Sequence, residues 1–233
     1  MSPAHSQPHV PVAPAISCPR HAFGRGPPTR VKAPTTKAPR KGERPVAIPL
    51  LGEDGLPIEY LLIGLGWDPL NRRRWYGSLR VAVDLNLAVL LFADDHLTDV
   101  VYHEQLTSTD GAVRLLGDNV TGEGPGADEV VTVDLTRLSP AVTTVIPLVT
   151  CYTGQTFEQV DNGFCQLVDA ASEARIARYD LPRGPHTGLV VGALDRADPA
   201  WQYREIMRPL DASHPVDAIP HVRRYLLAPG DPD

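Results

Sequence analysis

From Val46 onward the chain is written in short apolar runs of four to twelve residues separated by Gly, Pro, Asp and Asn. No segment sustains the 3.6-residue period of a long amphipathic helix. That punctuation constrains the fold most. Many brief apolar runs at close spacing predict an all-β architecture, an antiparallel sandwich rather than a parallel α/β sheet. The expected strands are Val46–Leu51, Tyr60–Leu65, Val81–Phe92, Asp99–Tyr102, Gly111–Leu116, Glu129–Asp134, Val142–Cys151, Phe164–Asp169, Ala174–Tyr179, Thr187–Ala193 and Trp201–Met207. Pro147 falls inside the seventh and donates no ladder hydrogen bond, so that strand is expected to be an edge or to bulge there. Past Met207 the pattern turns irregular. Pro220 followed by His221–Leu227 suggests a short helix with proline at its first position, docking through Val222, Leu226 and Leu227.

Residues 1–45 read differently. They are rich in Pro, Ala, Ser and Thr, poor in large apolar groups, and hold eight Lys or Arg against one acid, Glu43. Such a stretch buries too little surface to offset its conformational entropy and is expected to be a disordered basic arm. Eight charges spread over that length make no dense patch. A solvated linker is therefore the favoured reading over an arm for membrane or nucleic acid. With the arm at +7 and the whole chain at −6, residues 46–233 carry −13, a field that attracts cations and repels nucleic acid. The expected division is thus an arm over 1–45, a sandwich over 46–208 and an extension over 209–233.

Absences narrow the function. No apolar run reaches the roughly 18 residues of a membrane span, and no apolar leader precedes the arm, which leads to the expectation of a cytoplasmic protein. Three cysteines (Cys18, Cys151, Cys165) without a C-x-x-C pair fit reduced thiols, and the two that fall near strands are expected to be buried and structural. No Gly-x-Ser-x-Gly elbow, phosphate loop or dinucleotide fingerprint occurs. His96 and His103 fit no metal-ligand spacing. Asp128 and Glu129 are neighbours entering a strand, so their side chains diverge instead of pairing as acid and nucleophile. The expectation is a protein that is not an enzyme and has no small-molecule substrate.

The segment richest in chemistry is Gly117-Asp118-Asn119-Val120-Thr121-Gly122-Glu123-Gly124-Pro125-Gly126-Ala127-Asp128-Glu129. Its glycines permit a tightly curled backbone that turns carbonyl oxygens inward. Asp118, Asn119, Thr121, Glu123, Asp128 and Glu129 add side-chain oxygens, the hard donors that calcium takes in sets of about 6–8. The absence of Cys and His disfavours zinc, copper and iron. Upstream, Asp84 and Asn86 share a face at a strand's start, opposite the apolar Val83, Leu85, Leu87, Val89 and Leu91. The same segment also reads as a polar, solvated connecting loop with Asx turns at Asp118 and Asn119.

Four stretches together resemble the TerD family of tellurium-resistance and stress-response proteins. They are Gly64-Leu65-Gly66-Trp67-Asp68, Asp84-Leu85-Asn86, Ser108 to Glu129, and Gln155-Thr156-Phe157-Glu158-Gln159-Val160 leading to Asn162 and Phe164. The likeness spans roughly residues 60–207. It implies a bacterial, cytoplasmic, calcium-binding β-sandwich without established catalysis, working with protein partners in stress-response assemblies. The ligands it implies are Asp84, Asn86, Asp118, Asn119, Asp128 and Glu129, with carbonyl help near Thr121, for one or two calcium ions. Asn86 stands where the family usually has Asp, and Ala127 replaces the first Asp of its Gly-Asp-Asp-Glu ending. Two lost charges weaken a calcium site, so the alternative is a metal-independent scaffold that kept the fold.

Overall fold

The structure, a computed structural model, describes residues 47–74, 77–117, 121 and 126–226, with 70–74 and 77–81 as backbone. Its strands are β1 (Ala47–Pro49), β2 (Tyr60–Asp68), β3 (Leu70–Arg74), β4 (Gly77–Val81), β5 (Leu85–Ala93), β6 (His96–Val101) and β7 (Val113–Leu115). There follow β8 (Glu129–Asp134), β9 (Thr144–Cys151), β10 (Asp161–Asp169), β11 (Arg175–Asp180), β12 (Gly188–Asp195) and β13 (Gln202–Leu210), then the helix α1 (Pro215–Val222). One sheet runs β1-β13-β12-β9-β5-β6 and the other β11-β10-β2-β8-β7, while β3 and β4 pair only with each other. Every paired strand is antiparallel, as the sandwich expectation required.

The main core lies between the two sheets. Leu61, Ile63, Leu65 and Trp67 of β2 meet Leu85, Leu87, Val89 and Leu91 of β5, all essentially without solvent exposure. The alternation of β5 therefore faces inward as its sequence indicates. Its opposite face is also buried, because Leu90 and Phe92 join Ile146, Leu148, Val190 and Ala193 in a second cluster outside the six-stranded sheet. An apolar outer face must be covered. Ala218 and Val222, one above the other at i, i+4 on α1, cover it together with Leu210 and Leu226.

Four expectations change. The single strand expected over Val81–Phe92 is broken: Val81 ends β4, residues 82–84 leave the ladder, and β5 starts at Leu85. The β3–β4 hairpin has no counterpart among the expected strands, since Pro69 and an arginine run hide it. Pro147 is not on an edge, because β9 lies between β12 and β5. The ladder is irregular there, but the extra residue belongs to the neighbour: Leu148 opposes Val190 and Val145 opposes Leu194, so two β9 residues face three on β12, while Pro147 pairs in register with Val89 of β5. The helix begins at Pro215, not Pro220. His214 caps it, its Nδ1 accepting from the Val216 N–H at 3.2 Å. Pro220 sits inside. Val222 and Leu226 pack as expected, whereas the basic arm and Leu227 lie outside the described residues.

Candidate functional site

The end of the sandwich where β2 finishes and β5 begins gathers the acidic residues. Trp67 organises it. This fully buried ring sends its indole N–H to the Val83 carbonyl at 2.7 Å, which fixes the stretch bearing Asp84. Its backbone N–H donates to Asp128 Oδ2 at 2.9 Å, while the Asp128 N–H donates to the Leu65 carbonyl at 2.7 Å. One tryptophan thus ties Asp128, at the exit of the glycine-rich loop, to the segment that enters β5. Gly66 makes the close approach possible. A Cβ there would meet the Phe164 ring at 2.5 Å and the Gly126 carbonyl at 2.9 Å.

Asp84 and Asn86 come together even though Asp84 precedes the strand. The Asn86 Nδ2 donates to Asp84 Oδ1 at 3.1 Å, and the Tyr152 N–H donates to the Asp84 carbonyl at 3.3 Å. The Asp84 charge also reaches Cys151. Burial first, and that charge second, push the Cys151 thiol up to about 11. Burial pushes Cys165 up to about 12. Both thiols are buried and free of disulfides, hence protonated at neutral pH and poor nucleophiles.

Glu129 points the other way from Asp128, as the adjacency of the two requires. Its Oε2 accepts from the Leu87 N–H at 2.6 Å in the buried interior. The reason lies in the ladder. β6 pairs with β5 only as far as Val101 opposite Val89, so Leu87 has no strand partner on that side. A carboxylate from the facing sheet takes the place of the missing strand and joins the two layers.

Other side chains at this end carried no assigned role in the sequence. Asp68 Oδ2 accepts from Asn162 Nδ2 at 2.7 Å, and Asp161, its register partner across β10 and β2, pairs with Arg183. Asn162 adopts a φ of 49°, a left-handed conformation that asparagine tolerates better than most residues. The signal was present in Asp68, an acid directly after the Trp67 that organises the site. Thr121 is exposed, Ala127 is half-buried, and Asp118, Asn119 and Glu123 lie outside the described residues. Among the described residues, no three His, Cys, Asp or Glu side chains converge on a metal position, so a site here would need oxygens from the 118–125 loop as well. Asp68, Asp84 and Asp128 bring hard carboxylate oxygens to this end, the donor type that calcium takes, while Asn86 turns its amide nitrogen toward Asp84. His96 lies on the surface beside Asp95, and His103 packs among Tyr102, Tyr152 and His214.

Comparison with known proteins identifies the family and supports the fold. The chain is 37% identical over 158 residues to the tellurium resistance protein TerZ of Serratia marcescens, covering 66% of this chain and 81% of that protein. The stress response protein SCP2 of Bacillus subtilis strain 168 is 27% identical over 163 residues, 64% of this chain and 82% of that protein. A crystal structure of a homologue of the telluride resistance protein TerD from Streptomyces coelicolor A3(2) superposes with a TM-score of 0.59 at 25% identity, covering 70% of this chain and 95% of that one. Residues 50–212, which hold every described strand except β1 together with the Trp67-centred end, match the TerD domain, and the chain belongs to the TerD family.

Proposed function

We propose that this protein is a calcium-binding member of the tellurium-resistance and stress-response group, acting without catalysis as a cation-dependent interaction module in the cytoplasm. The observation that carries the reading is the double use of Trp67, which ties Asp128, after the glycine-rich loop in sequence, to the segment bearing Asp84. Asp84 and Asp128, with Asn86 and loop oxygens from Asp118, Asn119 and Thr121, would hold the ion. Bound calcium would supply charge neutralisation and fix the loop edge as a surface for protein partners. Glu129 supports the site by locking β8 to β5 through Leu87. Among the described residues no helix is long and apolar enough to cross a membrane.

A metal-independent scaffold is the second reading, and Asn86 favours it. Its amide donates to Asp84 where an aspartate would repel it, so the need for a cation at that pair is reduced. Thermal unfolding of the full chain separates the two. The calcium reading predicts a Tm that rises with millimolar calcium and much less with magnesium, because a ligand that binds only the folded state stabilises it. An unchanged Tm at millimolar calcium favours the scaffold.

A further inference from the structure

The segment Gln155-Thr156-Phe157-Glu158-Gln159-Val160 has no part in the calcium reading. It lies between β9 and β10 and forms a single turn of 3-10 helix over Phe157–Gln159. Phe157 is 1% exposed. Its ring stacks on the His186 imidazole, with centroids 4.5 Å apart and planes 29° from parallel, and its N–H donates to the His186 carbonyl at 3.0 Å. His186 belongs to the connection from β11 to β12. That connection curls tightly over the imidazole, since a Cβ at Gly184 would lie 2.7 Å from Nδ1. It grips the neighbouring turn twice more. The Leu181 N–H donates to the Gly163 carbonyl at 2.8 Å, and Arg183 donates to the Val160 carbonyl at 2.9 Å while pairing with Asp161. The turn also reaches the acidic end, where Gln155 Nε2 donates to the Ala82 carbonyl at 3.4 Å, two residues before Asp84.

His186 is 7% exposed, and its Nε2 is buried without a hydrogen-bond partner. A neutral imidazole tolerates that position, because an unmet acceptor costs far less than a buried charge. A protonated one carries N–H donors on both nitrogens and would leave a donor unmet inside the stack. The ionisable groups on the packed segments offer little relief. Asp211, exposed just past β13, lends a favourable field and the Pro182 carbonyl favours a ring proton, but burial outweighs both and holds the imidazole below its ordinary value. Glu158 on the turn is exposed, and Arg183 is taken up by Val160 and Asp161. Cys151, whose N–H meets the Thr187 carbonyl at 2.7 Å, holds a thiol that stays protonated.

We infer that His186 is a proton-operated latch, closed on Phe157 when neutral and released when protonated, so that acid frees the 155–160 turn and loosens the Ala82–Asp84 segment it braces. A histidine whose charged form is disfavoured in the fold keeps the latch fully closed above the ordinary imidazole value, about 6.5. Closure weakens as pH falls from there toward the lower value of the folded protein. Between about pH 7.5 and about pH 5, an open state that titrates normally can gain up to about 30-fold in population. The latch needs no metal, so it is tested in chelator and stands apart from the calcium reading.

Amide hydrogen exchange of the full chain in EDTA at those two pH values, corrected for intrinsic rates, reads the opening directly. Residues 155–160 and 181–187 are expected to open about tenfold more in acid, with a smaller rise over 82–84 and little change along β12. His186→Phe keeps an aromatic ring against Phe157 and cannot titrate, so its acid response should vanish. NMR titration of the His186 ring in the unaltered protein serves even where that variant fails to fold, and is expected to fall below the value of a free imidazole. A ring that titrates at or above that value overturns the proposal. Acid opening of equal size in a folded His186→Phe does the same, as does equal protection of both segments at the two pH values. A turn that opens in acid while 82–84 stays fully protected overturns the transmission to the acidic end.

Discussion

Asn86 occupies the most informative position at the residue scale. Its Nδ2 satisfies one Asp84 oxygen at 3.1 Å, a neutral solution where two adjacent carboxylates would demand a cation. Changing it to aspartate restores a ligand charge and removes that donor. Asn86→Asp is expected to tighten calcium binding about tenfold and to lower the Tm of the metal-free protein, both readable by titration and by unfolding in chelator. Glu129 answers a different question, because its carboxylate satisfies the buried Leu87 N–H that the end of β6 leaves open. Glu129→Ala orphans that donor and is expected to cost about 2–3 kcal/mol. The cost should be read by denaturant unfolding in EDTA, where no metal effect contributes. A loss seen only with calcium present would instead make Glu129 a ligand alone.

At the scale of elements, the C-terminal helix is held by a buried ion pair as well as by its apolar face. Arg204 on β13 meets Asp195 on β12 at 2.9 and 3.3 Å, and its second nitrogen donates to the Tyr225 carbonyl at 2.7 Å, just past α1. Thr144 donates to the same Asp195 at 3.1 Å. Arg204→Ala leaves a buried carboxylate without its cation, at a cost of about 3–5 kcal/mol. It should also speed amide hydrogen exchange over residues 215–226 before the sheets are affected. No sequence pattern announced this link, because its partners are separated along the chain and one is a backbone carbonyl. The strands were more readable. The span of β8 coincides with its alternating run, and the inward face of β5 follows directly from Val83 to Leu91. The hairpin is not legible because its arginine run carries no alternation of polarity. The helix start was misplaced because Pro215 and Pro220 offer the same N-terminal signal, and only the His214 cap decides between them. At the site, Asp84, Asn86 and Asp128 were legible as oxygen donors at motif positions. The role of Trp67 was not, since spacing alone does not reveal which backbone groups a buried indole will join.

At the scale of the whole molecule, charge is segregated. A strongly acidic sandwich carries an arginine ribbon between Asp68 and Asp84, the two acids flanking the candidate calcium edge. The net negative field of the body attracts divalent cations, the arginines oppose it locally, and capture of a cation is therefore sensitive to ionic strength. The central claim is that the glycine-rich loop and its flanking acids hold calcium. Calorimetric titration of the full chain with calcium, with Asp118→Ala alongside, tests it most directly. The account predicts submillimolar binding of one or two ions, abolished or weakened at least tenfold in the variant. Absence of binding up to millimolar calcium, or binding that Asp118→Ala leaves intact, would contradict it.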